Sequence, residues 1–473
     1  MKIRVGAAVA MASLLGGCAV GPDYRPPATA ALDVPSRYVL AAPAAQAEDL
    51  SSWWTRFDDP LLTDLIAQAT ARNLDIKVSE ARLREAREAL VQSRASLFPT
   101  LSGSAGVTRN DTERHRAATL TTNGTQLSLG LDASWQADLF GGNRRSVEAS
   151  RASLDAASFD LAAVRMATAG EVATNYVAAR LAQARLAIAR DTLATEDDNL
   201  RIASWRVQAG LVSATDREQA RAQRDQTAAT IPTIETNFRS AVNRLAVLTG
   251  RAPGAVDAAL AAAAPIPAGP AAIAVGVPAD TLRQRPDVRS AERQLAAATA
   301  RIGVAEAQLY PALTLTGSLD SAASHVGDLG SLITSTLFAS LAQTIFDGGR
   351  LRSQVRSARA SADEAFATYK STVLTGLEDV ENALQALNAA RTRQASLADA
   401  RNAAQAAAEL ARSQYQSGLT DFLTLLQSEQ SLLSARDTLA SAQADQASAI
   451  VQLYLALGGG WQSGSLATAG PAQ

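Results

Sequence analysis

The stretch Leu127-Ser128-Leu129-Gly130-Leu131-Asp132-Ala133-Ser134-Trp135 alternates apolar residues with polar or small ones. A β-strand sends successive side chains to opposite faces, so this stretch has one apolar and one polar face. Upstream, Leu101-Ser102-Gly103-Ser104-Ala105-Gly106-Val107 does the same. So does Leu313-Thr314-Leu315-Thr316-Gly317-Ser318-Leu319, and less strictly Leu337-Phe338-Ala339-Ser340-Leu341. Alternation of this kind predicts four two-faced strands suited to a membrane barrel. Outside the N-terminus no apolar run approaches the ~20 residues of a membrane-spanning helix.

Working outward from the strands, helical periodicity takes over. Helices are predicted over roughly 60–97 and 285–309, each followed by a proline, Pro99 or Pro311. After Gly348-Gly349, apolar residues recur every three or four positions from Leu351 through Val355, Ala362, Tyr369, Val373, Val380 and Leu387. This run extends over 351–415 with no proline and one glycine, Gly376. At 1.5 Å per residue it spans roughly 100 Å, a length suited to a coiled-coil assembly.

The plan occurs twice. Asp75-Ile76 and Phe98-Pro99 match Asp287-Val288 and Tyr310-Pro311 at an interval of 212. Gly141-Gly142 matches Gly348-Gly349 at 207, and Gln208-Ala209-Gly210-Leu211 matches Gln416-Ser417-Gly418-Leu419 at 208. The period is too long for a solenoid and reads as an internal duplication. The expected organisation is a signal segment over 1–17, an extended N-terminal segment over 18–59, and a first repeat over 60–250. A linker over 251–280, poor in predictable structure, joins it to a second repeat over 281–460, and a disordered tail covers 461–473.

Composition narrows the class. Hydrophobic residues make up 47% but aromatics only 4%, a balance that favours long helices packed through small side chains. The net charge of -2 leaves no basic footprint for nucleic acid. Lys2 and Arg4, then an apolar Val5–Leu15, then Gly16-Gly17, form a targeting segment. The single cysteine, Cys18, follows at once, and Leu15-Gly16-Gly17-Cys18 resembles a bacterial lipobox. That resemblance implies diacylglycerol on the Cys18 thiol, an N-acyl chain on its new amino group, and a mature chain of 473 - 17 = 456 residues. Ala19 stands where aspartate favours inner-membrane retention in such lipoproteins, so the expected destination is the outer membrane.

Four strands cannot close a barrel, and an open edge in lipid leaves backbone groups unpaired. If the strands face lipid the chain must oligomerise. Three chains give twelve strands, although the count alone admits other multiples of four.

Longer motifs add a resemblance. Cys18-Ala19-Val20-Gly21-Pro22-Asp23-Tyr24-Arg25-Pro26 and Trp53-Trp54-Thr55-Arg56-Phe57-Asp58-Asp59-Pro60-Leu61 resemble NodT-type outer-membrane factor lipoproteins of the TolC-like channel family. So do Arg285-Pro286-Asp287-Val288-Arg289, Ile345-Phe346-Asp347-Gly348-Gly349-Arg350-Leu351 and Leu455-Ala456-Leu457-Gly458-Gly459-Gly460-Trp461. The resemblance implies a mainly α fold with a membrane β part. In it, a homotrimer closes a 12-stranded β-barrel continuous with a long α-helical periplasmic barrel. It also implies a passive exit duct in tripartite (RND-type) efflux, located in the outer membrane with most of the chain in the periplasm. The implied partners are an inner-membrane RND-type pump, a periplasmic adaptor (membrane fusion protein) and outer-membrane lipids.

The same resemblance assigns sites. The turns Gly210, Leu211, Val212, Ser213 and Gly418, Leu419, Thr420 would form the adaptor-docking tips. Asp421, Leu423 and Gln427 would line the pore constriction, with Gln427 standing where the family commonly has aspartate. No cluster reads as catalytic, so no enzyme activity and no cofactor beyond the Cys18 lipid is expected. His115 and His325 are too far apart in sequence for a metal motif and read as loop residues. Glu378, Asp379 and Glu381 read as a solvated or intersubunit helix face. The glycine runs lack the lysine and serine of a phosphate loop and read as turns. The competing functions are a duct of type I protein secretion and a lipid-anchored structural coiled coil.

The lipobox yields one direct expectation. Cys18→Ser should abolish metabolic labelling with palmitate, because no other cysteine exists to carry the thioether. Label retained in that variant would refute lipidation at Cys18.

Overall fold

The computed structural model describes residues 19–39, 49–110, 124–275 and 277–461. Cys18 and the signal stretch before it, His115 and the tail over 462–473 lie outside the described residues. The element order is α1 (Pro60–Arg72), α2 (Leu74–Ala95), β1 (Thr100–Asn110), β2 (Gly124–Ala137), α3 (Gly142–Gln208) and α4 (Ala214–Leu248). It continues with α5 (Asp257–Leu260), α6 (Pro278–Gln284), α7 (Pro286–Ala307), β3 (Ala312–Ala323), β4 (Thr334–Ala342), α8 (Arg350–Gln416) and α9 (Phe422–Ala456). The halves match in length as well as order: α2 and α7 have 22 residues each, α3 and α8 have 67, and α4 and α9 have 35.

By contacts the chain forms two units, and neither coincides with one repeat. The first draws on Met1–Pro27, Arg82–Ala157 and Ser290–Lys370. The second draws on Ala28–Ala81, Ser158–Arg289 and Ser371–Gln473.

The first unit holds an antiparallel sheet in the order β1-β2-β3-β4. Its register sorts the alternation onto two faces, because directly paired residues share a face. Val107, Leu127 and Ala323 fall on one side, as do Gly103, Leu131, Leu319 and Ser335. Ser102, Asp132, Ser318 and Thr336 fall on the other. The apolar face is bare: Leu101, Val107, Leu129, Leu131, Leu319, Leu337 and Leu341 are all exposed. Phe338 is an exception on the polar face, which accounts for the weaker alternation of β4.

The N-terminal residues are fastened in this same unit. Buried Arg145 donates from Nε to Val20 O at 3.1 Å and from Nη2 to Gly21 O and Asp23 Oδ1 at 3.1 and 2.7 Å. Its Nη1 reaches Glu148 at 2.8 Å. Gly21 has φ +91°, and a Cβ there would lie 2.4 Å from Gly303 Cα, so the segment lies flush against α7. Val20 N–H donates to Phe140 O, and the Phe140 ring stacks on Tyr310 at 4.7 Å.

The second unit holds the main core. Trp53, fully buried, stacks on Tyr454 at 5.5 Å, and Leu62, Ile66, Tyr176, Leu245 and Ile450 pack into the same cluster. Asp59 caps α1 by accepting from Leu61 N and Leu62 N, with Pro60 at the first helical position. Its other oxygen accepts from Tyr176 O–H at 2.6 Å, and burial, aided by this bond, pushes the Tyr176 phenol up to about 12.

Three expectations need correction. The helix expected over 60–97 breaks at Asn73. The Asn73 carboxamide accepts from Asp75 N and Ile76 N, restarting the chain as α2, and donates to Leu248 O at 3.0 Å. The linker is poor in helix yet firmly packed: Leu260 is fully buried, and Arg180 and Gln183 bind the carbonyls of Leu260 and Ala262. Trp461, placed in the tail, instead donates to Gln284 O at 2.8 Å and packs edge-on to Phe159.

Asn73 combines a helix cap with a buried bond, and losing a cap costs about 1–2 kcal/mol. Asn73→Ala should therefore lower the thermal midpoint of the helical signal, measured by circular dichroism. Asn73→Asp, which keeps the capping oxygen but not the donor to Leu248, should fall between that variant and wild type.

Candidate functional site

The two helix turns are built alike. At the end of α3, Gly210 N–H donates to Val207 O and Leu211 N–H reaches back to Arg206 O at 2.9 Å. At the end of α8, Gly418 N–H donates to Tyr415 O and Leu419 N–H reaches back to Gln414 O at 2.8 Å. Both are Schellman endings, which need a residue with positive φ after the helix. Gly210 has φ +70° and Gly418 has φ +72°. A Cβ at either would meet nothing within 4 Å, so backbone conformation and not crowding calls for glycine.

The following helices start alike too. Ser213 caps α4 by accepting from Thr215 N, and Asp421 caps α9 by accepting from Thr424 N at 2.8 Å. The bonds from Thr424 hold the Asp421 carboxyl below its usual range. Asp421 therefore has a capping task that its assignment to the constriction did not foresee. Schellman endings commonly bury an apolar contact at the second residue past the helix. Here Leu211 and Leu419 are 73% and 79% exposed, while Val212 and Thr420 are half-buried.

Behind the turns, Tyr415 packs on Phe422 at 5.4 Å with Ala203, Ala220, Ala411 and Leu425, and the Arg206 guanidinium lies 4.4 Å over the Tyr415 ring. Phe422 and Leu425 thus face inward. Leu423 and Gln427, four residues apart on one face of α9, point out of this packing. The turns, Leu423 and Gln427 are thus neighbours along the ends of the hairpins, with Leu211, Leu419 and Leu423 the exposed leucines among them.

Sequence reasoning missed the polar layer just inside this cluster. Glu196, Asn199, Thr227 and Glu429 are all buried there. The signal available was weak: four polar residues scattered over three helices, none in a recognisable motif.

The remaining candidates resolve into structural parts. Asp379 accepts from buried Arg285 at 2.9 Å, and Arg285 also binds Asp287 and the carbonyls of Gly376 and Ala456. Glu381 accepts from Val39 N–H. On this acidic helix face Asp379 and Glu381 thus make tertiary contacts, while Glu378 is exposed. His325 is exposed, 3.8 Å from Asp328. Gly348 and Gly349 have positive φ in the turn before α8, where Asp347 accepts from Gly349 N and Leu351 N. Gly459 leaves no room for a side chain beside Tyr454 O, Leu50 O and Trp53.

Known proteins resemble this chain along most of its length. Residues 65–251 and 277–459 match the model of outer membrane efflux proteins. The chain is 35% identical over 453 residues to nodulation protein T of Rhizobium leguminosarum bv. trifolii, covering 95% of this chain and 96% of that protein. It is 31% identical over 463 residues to the pyoverdine export outer membrane protein OpmQ of Pseudomonas aeruginosa, covering 95% of each. Among solved structures, the outer-membrane channel OprN superposes with a TM-score of 0.87 at 35% identity, covering 94% of this chain and all of that one. The open state of the Neisseria gonorrhoeae MtrE outer membrane channel gives 0.82 at 26% identity, covering 94% and 99%.

The backbone argument at the turns predicts a graded series. Gly418→Ala, forced into the left-handed region, should cost about 1 kcal/mol and lower the thermal midpoint. Gly418→Asn should cost less, because asparagine tolerates that conformation. Equal losses for both would mean that the turn is crowded after all.

Proposed function

We infer from the outer membrane efflux protein family, to which this chain belongs, that the protein is an outer-membrane channel of tripartite efflux. The family is one of ducts and not of enzymes. The observation that carries the reading is the bare apolar face of a four-stranded sheet whose edge strands β1 and β4 each have one neighbour. In hydrocarbon those edges must pair with other strands. We propose that three copies supply twelve strands and close a barrel, and that the long helices of the same three chains form a second cylinder in the periplasm.

The finer roles are part of the same proposal. Cys18 carries the acyl chains that hold the mature N-terminus to the outer membrane. The turns at Gly210–Ser213 and Gly418–Thr420 meet a periplasmic adaptor through exposed Leu211 and Leu419, and an inner-membrane RND-type pump feeds the duct. The cargo is a drug or another small toxic compound. OpmQ carries pyoverdine export in its name, and the toluene efflux pump protein TtgI of Pseudomonas putida is 32% identical over 460 residues. Selection among such cargoes falls to the pump, since a duct makes few specific contacts.

At the constriction, three copies of Leu423 meet near the axis and shed apolar surface from water, at ~25 cal/mol per Å². Gln427, one turn further along, adds neutral hydrogen-bonding groups. A ring of aspartates there would attract cations, and a ring of glutamines does not. In planar bilayers, Leu423→Ala should raise the conductance of the trimer, and Gln427→Asp should raise cation selectivity and sensitivity to divalent ions. Unchanged conductance in Leu423→Ala, with an opened pore in Gln427→Ala, would move the gate to the glutamine ring.

A further inference from the structure

A polar knot joins four helices just inside the turns. On α3, Glu196 is 4% exposed, and its Oε1 accepts from Thr227 Oγ at 3.0 Å and from Gln223 Nε2 at 3.2 Å, both on α4. Its Oε2 is buried with no hydrogen-bond partner among the described residues. Asn199, three residues along the same face of α3, donates to Glu429 Oε2 on α9. The other oxygen of Glu429 accepts from Arg412 Nη2 on α8 at 2.7 Å. The two acids therefore sit side by side, one from each helical hairpin. Among the described residues Glu429 has a cation, Arg412, to balance it, and Glu196 shows none.

We propose that Glu196 is a proton-operated latch between the α3–α4 and α8–α9 hairpins: with the proton on, the hairpins pack tightly beneath the turns, and its loss to solvent loosens them. An ionised carboxylate in this position keeps one oxygen dry and unpaired, which is costly. It also faces a like charge across the interface between the hairpins. Neutralising Glu196 removes the repulsion and lowers the cost of burying the unpaired oxygen.

The groups facing Glu196 are two neutral donors and two acids, each acid with an arginine partner. From α4 come Gln223 and Thr227, which are neutral. From α9 comes Glu429, backed by Arg412 of α8, and from its own helix Asp197, which Arg224 of α4 pairs at 2.9 Å. Burial pushes the Glu196 carboxyl above its usual range, with Glu429 and Asp197 adding to the rise and the bonds from Thr227 and Gln223 opposing it. A group raised by packing stabilises the packed form at low pH, and that contribution is lost as pH climbs through the raised value. Asp421 behaves oppositely and titrates below the usual carboxylate range, outside that window.

The test uses the full-length trimer between about pH 5 and about pH 8. Two readouts are taken: the thermal midpoint of the helical signal, and conductance in planar bilayers, of which only the second depends on the channel reading. Wild type should melt lower and conduct more as pH rises. Glu196→Gln should melt at one temperature and conduct at one low level across the range. Glu429→Gln, which removes the like charge, should move the wild-type transition down by about one pH unit. A protein with that melting behaviour and no pores would uphold the latch and sink the channel. Pores whose pH slope survives Glu196→Gln, or a transition that Glu429→Gln leaves in place or moves upward, would overturn the latch and leave the channel standing.

Discussion

Every peptide group that leaves water must find a partner, and among the described residues the sheet of this chain leaves its two edge strands paired on one side alone. Its four strands are fully registered with each other, yet β1 and β4 each have an open side. A water-soluble protein manages such edges with charge, proline or a covering helix. Here the strands instead carry leucine, valine and alanine on one face and serine, threonine and aspartate on the other. The sheet is therefore half of a bargain with other copies. The long helices follow from the same need, since a closed ring of strands imposes its circumference on whatever the chain builds next.

The duplication shows how that need is met twice with one plan. The paired long helices of 67 residues and return helices of 35 have not drifted apart in length, although their residues have. Length is what a ring of neighbours demands, because turns that must align at one level tolerate no extra helical turn. Surface residues face no such demand. The caps illustrate the difference: serine in one copy and aspartate in the other perform the same bond to the backbone.

Much of this was legible in the residues, for physical reasons. Alternation at 127–135 gave strand β2 because a two-sided environment forces period two. Gly210 and Gly418 marked helix ends because few other residues accept positive φ. Four features stayed hidden. Asn73 sits in a run with continuous helical periodicity, and its break depends on a donor bond to Leu248, far away in sequence. The linker reads as loose because alanine and proline carry no pattern, yet Leu260 and Val275 are buried by helices from both repeats. Glu196 and Glu429 escape a sequence reading, since nothing local announces that a helix face will be covered. Trp461 was lost to the tail because its partners, Gln284 and Phe159, lie in other segments.

The clasp around Arg145 bears on how a single chain finds its partners. The guanidinium reads the carbonyls of Val20 and Gly21, only two and three residues beyond Cys18. Acyl chains on Cys18 would be on a leash of roughly 7 Å from Val20. That leash is fixed beside the Phe140–Tyr310 ring pair, where β2 gives way to α3. A tether so short would keep an unclosed sheet at the bilayer surface from the moment of lipidation. Three such chains would then meet by diffusing in a plane and not through a volume, at a far higher effective concentration. The lipid would thus serve assembly first, and retention only once the ring has closed.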